Sequence, residues 1–146
     1  MVMLKIAVGC DPNAASAKAA LMQYLGQKGF LLTDFGSDDP IYANVAIKVA
    51  EAVSRKEYDR GILICGTGLG VSIAANKVKG IRAAVCSEPF TAKMARVHNN
   101  CNILAFGARV VGAELAKMIV ETWLDAEFEG GRHQRRVDLI TAIEEK

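Results

Sequence analysis

Gly61-Ile-Leu-Ile-Cys65-Gly-Thr-Gly-Leu-Gly70 is the stretch that decides how the rest of the chain reads. The apolar run before Cys65 is short, unbroken and bounded by glycines, the mark of a strand buried on both faces. Beyond it, Gly66, Gly68 and Gly70 alternate with Thr67 and Leu69 and give way to Val71-Ser-Ile-Ala-Ala75, an apolar run able to start a helix. Strand, glycine-rich turn and helix in that order bring backbone N–H groups close to an anion, and the helix start adds partial positive charge. The same field stabilises a thiolate, so Cys65 stands where a cysteine is activated.

Outward from this stretch, the chain alternates. Toward the N-terminus, residues 4–8 form a short apolar strand ending at Gly9, and 10–13 form a turn with Asn13 as N-cap of a helix over 14–27. Residues 30–33 read as a second strand, 35–40 as a loop, and about 41–55 as a helix with Val45, Val49, Ala52 and Val53 on one face. Toward the C-terminus, a fourth strand over 81–86 leads into a helix from Pro89 to about His98, and a fifth strand spans 103–106. A helix over 112–125, a break at Gly130-Gly131 and a terminal helix over 137–146 complete the chain.

Five strands alternating with helices predict an α/β fold: one three-layer α/β/α domain over 1–146 with a five-stranded parallel sheet, Rossmann-like in plan. Ligands bind such sheets beyond the carboxyl ends of the strands. Asp11, Cys65, Glu88 and Arg109 each follow a predicted strand, and His98 is read as sharing that rim.

Composition excludes several classes. With 51% hydrophobic and 23% charged residues among 146, the chain has the make-up of a soluble globular domain, with no run long enough to span a membrane and no signal-peptide pattern. A net charge of +2 argues against a nucleic-acid partner. Cys10, Cys65, Cys86 and Cys101 show no CxxC spacing, which suits free thiols in a reducing cytoplasm rather than disulfides or zinc.

Competing readings of the glycine loop fit less well. A dinucleotide fingerprint requires a third glycine where Val71 stands, although Glu88 lies at a suitable distance for a ribose. A cysteine-phosphatase loop requires an arginine at that same position. Cys10 beside its turn resembles a phosphocysteine loop, but Asp11 would repel a phosphoryl group. Cys86 and Cys101 read as core. His98 suits acid–base work, with helix capping as the plainer reading; His133 reads as a phosphate neighbour or plain surface. Arg132 and Arg136, four apart, would aim the same way from any helical turn and clamp an anion such as phosphate, with Arg109 on the rim.

These motifs, together with Gly80-Ile-Arg-Ala-Ala-Val-Cys-Ser-Glu-Pro89, His98-Asn99, Phe106-Gly-Ala-Arg-Val-Val-Gly112 and Glu129-Gly-Gly-Arg-His-Gln-Arg-Arg136, resemble the type B ribose-5-phosphate isomerases and galactose-6-phosphate isomerase subunits over nearly the whole chain. The resemblance implies an aldose–ketose isomerase of phosphorylated sugars that needs no cofactor or metal. It implies Cys65 as the base moving a proton between C1 and C2, with Gly66, Gly68, Leu69 and Gly70 lending amides to the enediolate. Thr67 and His98 would assist ring opening, Asp11 and Asn99 hold sugar hydroxyls, and Arg109, Arg132 and Arg136 take the phosphate. It further implies a homodimer, or a dimer of dimers, in which an arm over 126–146 reaches the neighbouring subunit's site.

One departure bears on the substrate. The family usually carries Asp-His after its first strand, whereas this chain has Asp11-Pro12. Pro12 brings neither an imidazole nor a backbone N–H to the sugar. A tetrose pair such as erythrulose 4-phosphate therefore stands beside ribose 5-phosphate as substrate. A non-catalytic phosphosugar sensor and a nucleotide-binding protein are the readings from other classes.

Overall fold

The parallel sheet of the computed structural model, which describes residues 3–146, has the strand order β2-β1-β3-β5-β4. Its strands are β1 (Lys5–Cys10), β2 (Leu31–Gly36), β3 (Arg60–Cys65), β4 (Ala83–Val85) and β5 (Ile103–Gly107). The helices are α1 (Ala15–Gln27), α2 (Tyr42–Ser54), α3 (Leu69–Ala75), α4 (Pro89–Val97), α5 (Ala113–Asp125) and α6 (Arg132–Ile143). Every pairing is parallel, so the α/β/α architecture read from the alternation holds.

The side-chain period of two divides the interior between two layers. From β3, Ile62 and Ile64 pack with Leu21 and Leu25 of α1, Ala92 of α4, and Ile119 and Trp123 of α5. Leu63 and Cys65 point the other way, toward Val49 and Val53 of α2 and Val71 and Ala75 of α3. The connection after β1 thus leads to one face and that after β3 to the other. The carboxyl ends of these neighbouring strands form a topological switch point, where open α/β sheets leave a crevice.

Several element boundaries differ from those the sequence predicts. The turn after β1 is a 3₁₀ turn, Pro12–Ala14, capped by Asp11 rather than Asn13: the Asp11 carboxylate accepts the Ala14 N–H at 3.1 Å. β2 runs on through Asp34 and Phe35, because pairing with β1 continues past a bulge to Gly36. β4 keeps only three residues of the expected 81–86 because side chains take the ladder's place. Asn102 Oδ1 accepts the Arg82 N–H at 2.9 Å, and Asn76 bonds both backbone groups of Ala83 at 2.8 and 3.0 Å. Cys86 lies one residue past β4, its N–H still donating to the Ala105 carbonyl at 3.0 Å, whereas Cys10 ends β1. α6 begins at Arg132 rather than 137, directly after Gly131 at φ +53°.

Candidate active site

Cys65 ends β3 with 6% of its surface exposed, and its sulfur accepts the Gly68 N–H at 3.1 Å. Gly68 can make that bond because its φ is +84°, a left-handed conformation that brings the chain back over the strand end. A Cβ at Gly68 would also lie 2.8 Å from the Phe106 carbonyl carbon, so the loop is pressed against the end of β5. Thr67 Oγ1 accepts the Leu69 N–H at 3.2 Å. α3 starts at Leu69, two residues earlier than the apolar run suggests, so Leu69 and Gly70 belong to its first turn.

Arg109 and Asp11 flank this loop. The Arg109 N–H donates to the Gly66 carbonyl at 3.0 Å, and its side chain runs across Gly66, with Cδ 3.6 Å from where a Cβ would stand. The Asp11 N–H donates to the Ile64 carbonyl at 3.2 Å, which sets Asp11 and Pro12 beside the end of β3. Tyr42, which the sequence reading passes over, covers the loop from α2: a Cβ on Gly70 would meet its ring at 2.5 Å. That missing Cβ is the sequence's only sign of the contact. Leu69, Ile73, Val110 and Phe90 leave an apolar surface open around the rim.

The other thiols lie in different surroundings. Burial pushes the thiols of Cys10 and Cys101 up to about 11 and raises Cys86 as well. Cys10 is 1% exposed, which excludes the phosphocysteine reading. All four cysteines are free. Glu88 caps α4, accepting the Phe90 N–H at 2.7 Å and the Thr91 N–H at 3.0 Å, so the ribose-binding role has no support.

His98 and Asn99 are not on this rim, contrary to the reading from sequence. In a parallel sheet each helix runs back against the strands, so the end of α4 lies at their amino edge. Asn99 is tied to that edge: its carbonyl accepts the Arg82 Nε–H at 2.9 Å, and the Asn102 carbonyl accepts the Gly61 N–H at 2.9 Å. From Gly61 to Cys65 are four strand steps of roughly 3.3 Å, about 13 Å.

The arginine arm joins this second group. The Glu129 N–H donates to the Val97 carbonyl at 3.0 Å, and the rings of His98 and His133 stack with centroids 4.3 Å apart. Arg132 Nε approaches His133 Nε2 at 3.4 Å, and Arg136 lies one turn further along α6. His133 is therefore no surface residue; it is 4% exposed. Its pKa is lowered by burial first, then by His98, Arg132 and Arg136, with Glu129 opposing.

His98, Glu129 and His133 hold their ligating atoms within 4.8 Å of one another, spacing a cation could bridge. The stacked rings do not converge their nitrogens on one point, however, and two arginines make the setting anionophilic. One chain thus carries two clusters at opposite edges of its sheet: Asp11, Cys65, Thr67, the glycine loop and Arg109 on one, His98, Asn99, Arg132, His133 and Arg136 on the other.

The profile of the Ribose/Galactose Isomerase family matches residues 6–140. Ribose-5-phosphate isomerase B of Escherichia coli (strain K12) is 55% identical over 99% of each chain. D-erythrulose-4-phosphate isomerase of Pectobacterium atrosepticum is 49% identical over 94% of this chain and 93% of that one. The crystal structure of ribose-5-phosphate isomerase B from Mycoplasma genitalium with bound ribulose-5-phosphate superposes with a TM-score of 0.92 at 41% identity, covering 97% of both chains.

Proposed function

Since the chain belongs to the ribose/galactose isomerase family, we propose that its two clusters are halves of one active site, completed between two copies, in which ribose 5-phosphate and ribulose 5-phosphate are interconverted. Its reaction class is aldose–ketose isomerisation of a phosphorylated sugar. The observation that carries the residue assignment is the Gly68 N–H donating to Cys65 Sγ. A sulfur held by a main-chain donor, on a strand end at a switch point, is poised to act as a base.

In the open-chain aldose, Cys65 takes the proton from C2, and the bonding pair moves to make an enediolate with charge on O1. Amides of the Gly66–Gly70 loop face that charge; such donors contribute about 3–4 kcal/mol when they match the developing oxyanion. The proton returns from Cys65 to C1 while the O2 proton passes to O1, so C2=O2 forms and the ketose results. His98 and Asn99 of a second copy, with Thr67 of the first, open the sugar ring and hold its hydroxyls. Arg109 of one copy and Arg132 and Arg136 of the other take the phosphate, and that remote binding keeps C1 and C2 in register.

The half-site separation supports the homodimer: about 13 Å of strand lies between Cys65 and the edge carrying His98, too far for one small sugar to engage both groups as placed. The apolar surface around the Cys65 rim, and Leu139, Ile140 and Ile143 exposed on α6, offer area for a second copy to cover. The arm over 126–146 is the part that crosses over. We assign the protein to the cytoplasm; among the described residues no helix is long and apolar enough to cross a membrane.

Pro12 supports a second substrate reading. It begins a 3₁₀ turn beside Cys65 and offers a ring where the family's imidazole would donate, which suits a four-carbon sugar phosphate with one fewer group to hold. A panel of tetrose, pentose and hexose phosphates, assayed with and without Cys65→Ala, decides both points. The wild type should wash deuterium from solvent into the preferred sugar and the variant should bind that sugar without exchange. Binding with no exchange by the wild type would establish the sensor reading instead.

A further inference from the structure

We propose that the amino edge of the sheet holds a second oxyanion site, separate from the catalytic phosphate clamp, in which Lys56, Arg60, Arg82 and Arg96 receive a phosphate- or sulfate-sized ion. These side chains line a cavity of about 160 Å³ together with Asp59 and Asn100. Four cations against one carboxylate leave the wall at a formal +3 (4 − 1). Asp59 does little to offset them. Its carboxylate accepts the Lys5 N–H at 2.8 Å, and Arg60 Nη1 donates to its carbonyl rather than its carboxylate.

Buried guanidiniums are ordinarily paired with an anion. Arg96 is 5% exposed and bonds only to the Asn100 side chain at 2.8 Å and the Cys101 carbonyl at 2.7 Å. The Nε atoms of Arg96 and Arg60 are buried with no partner. Among the described residues none of the four cations forms an ion pair with a carboxylate side chain. Burial and then the neighbouring Arg60 push Arg96 down to about 10, the cost of gathering like charges with nothing between them.

Two helix ends frame the cavity: Lys56 at φ +64° closes α2, where the Glu57 N–H donates to the Ala52 carbonyl at 3.1 Å, and Asn100 at φ +48° closes α4, its N–H donating to the Arg96 carbonyl at 3.2 Å. Arg82 links the cavity to the catalytic turn, donating to the Asn99 carbonyl at 2.9 Å and the Asn100 carbonyl at 3.0 Å. An oxyanion here bridges guanidiniums that now repel one another and so tightens the turn carrying His98 and Asn99.

Titration calorimetry with inorganic phosphate tests this, with ionic strength held constant by chloride, in full-length protein carrying Arg109→Ala, Arg132→Ala and Arg136→Ala to silence the clamp. One phosphate site should remain. Adding Arg60→Met should weaken it about tenfold or more, and Lys56→Ala a few-fold, as expected for lost charge-assisted contacts. Crystals soaked in tungstate should show anomalous density between Arg60, Arg82 and Arg96. Unchanged affinity in both added variants overturns the site, as does tungstate confined to Arg109, Arg132 and Arg136, or a carboxylate of a neighbouring copy seated in the cavity. If Arg60→Met does not fold, Lys56→Ala and the tungstate map decide.

Discussion

The imidazoles of His98 and His133 lie face to face, 14° from parallel, joining the helix that precedes β5 to the arginine arm. Burial first, then His98, Arg132 and Arg136, favour the neutral form of His133. For His133 the folded pKa lies below 6.5, so the unfolded chain binds this proton more readily than the folded one. The stability tied to the neutral ring is complete above about 6.5 and is lost as pH falls through it toward the folded value. Urea midpoints measured downward from about pH 8 should therefore fall below about pH 6.5, and more gently in His133→Gln. Equal slopes in the two proteins would remove His133 from this role.

Gly68→Ala should damage both stability and turnover. The substitution puts a Cβ at φ +84° and 2.8 Å from the Phe106 carbonyl carbon, so the loop must lift from β5 and the donor leaves Cys65. Strain of this kind costs about 1–3 kcal/mol. Losing a preorganised donor lowers kcat by about 10²–10³. Steady-state kinetics on the folded variant check this, with KM expected to move little.

The proposed sharing of the site between two copies is decided by a mixing experiment. Cys65→Ala and His98→Ala should each be nearly inactive alone. Refolded together in equal amounts, half the dimers are mixed, and each mixed dimer has one site with both native residues. Activity should return to about a quarter of wild type. No recovery would place the two residues in one copy's site.

Arg136→Ala should chiefly raise KM for the phosphorylated sugar, by about ten- to a hundred-fold if one charge-assisted contact is lost. A dephosphorylated sugar supplied at high concentration should not distinguish the variant from wild type. An unchanged KM would take Arg136 out of the clamp.

Gly61→Ala probes the packing of α2 on β3. A Cβ there would stand 2.8 Å from Val49 Cγ1 and 3.0 Å from Ile103 Cγ1, both buried. Overpacking of this size costs about 1–3 kcal/mol. Val49→Ala in the same chain should recover part of the loss, which thermal or urea unfolding will show.

The fold was legible where burial writes itself into composition. Ile62-Leu-Ile64 is apolar throughout because both faces of β3 are covered, and the glycines after Cys65 mark a turn that no side chain could make. The place of Cys65 at the strand end before that turn was legible for the same reason. The position of His98 was not, since a residue near a helix end lies at whichever sheet edge the helix has reached. The burial of His133 depends on an arm folding back onto Val97, a contact with no periodicity to announce it. The shortness of β4 was hidden too, because Asn76 and Asn102 read as loop residues until they are seen imitating a neighbouring strand.

Helix α2 rests at one end on bare backbone: a Cβ at Gly9 would overlap Val45 at 2.5 Å, so the helix sits as deep on β1 as atoms allow. One turn earlier on the same helix, Tyr42 roofs Gly70. The helix is therefore a rigid gauge whose depth in the interior fixes the headroom above the loop. Volume changes at Val45 or Val49, though remote from any sugar, will be felt as a raised or lowered ceiling, so in this scaffold the choice of substrate can drift through interior repacking alone.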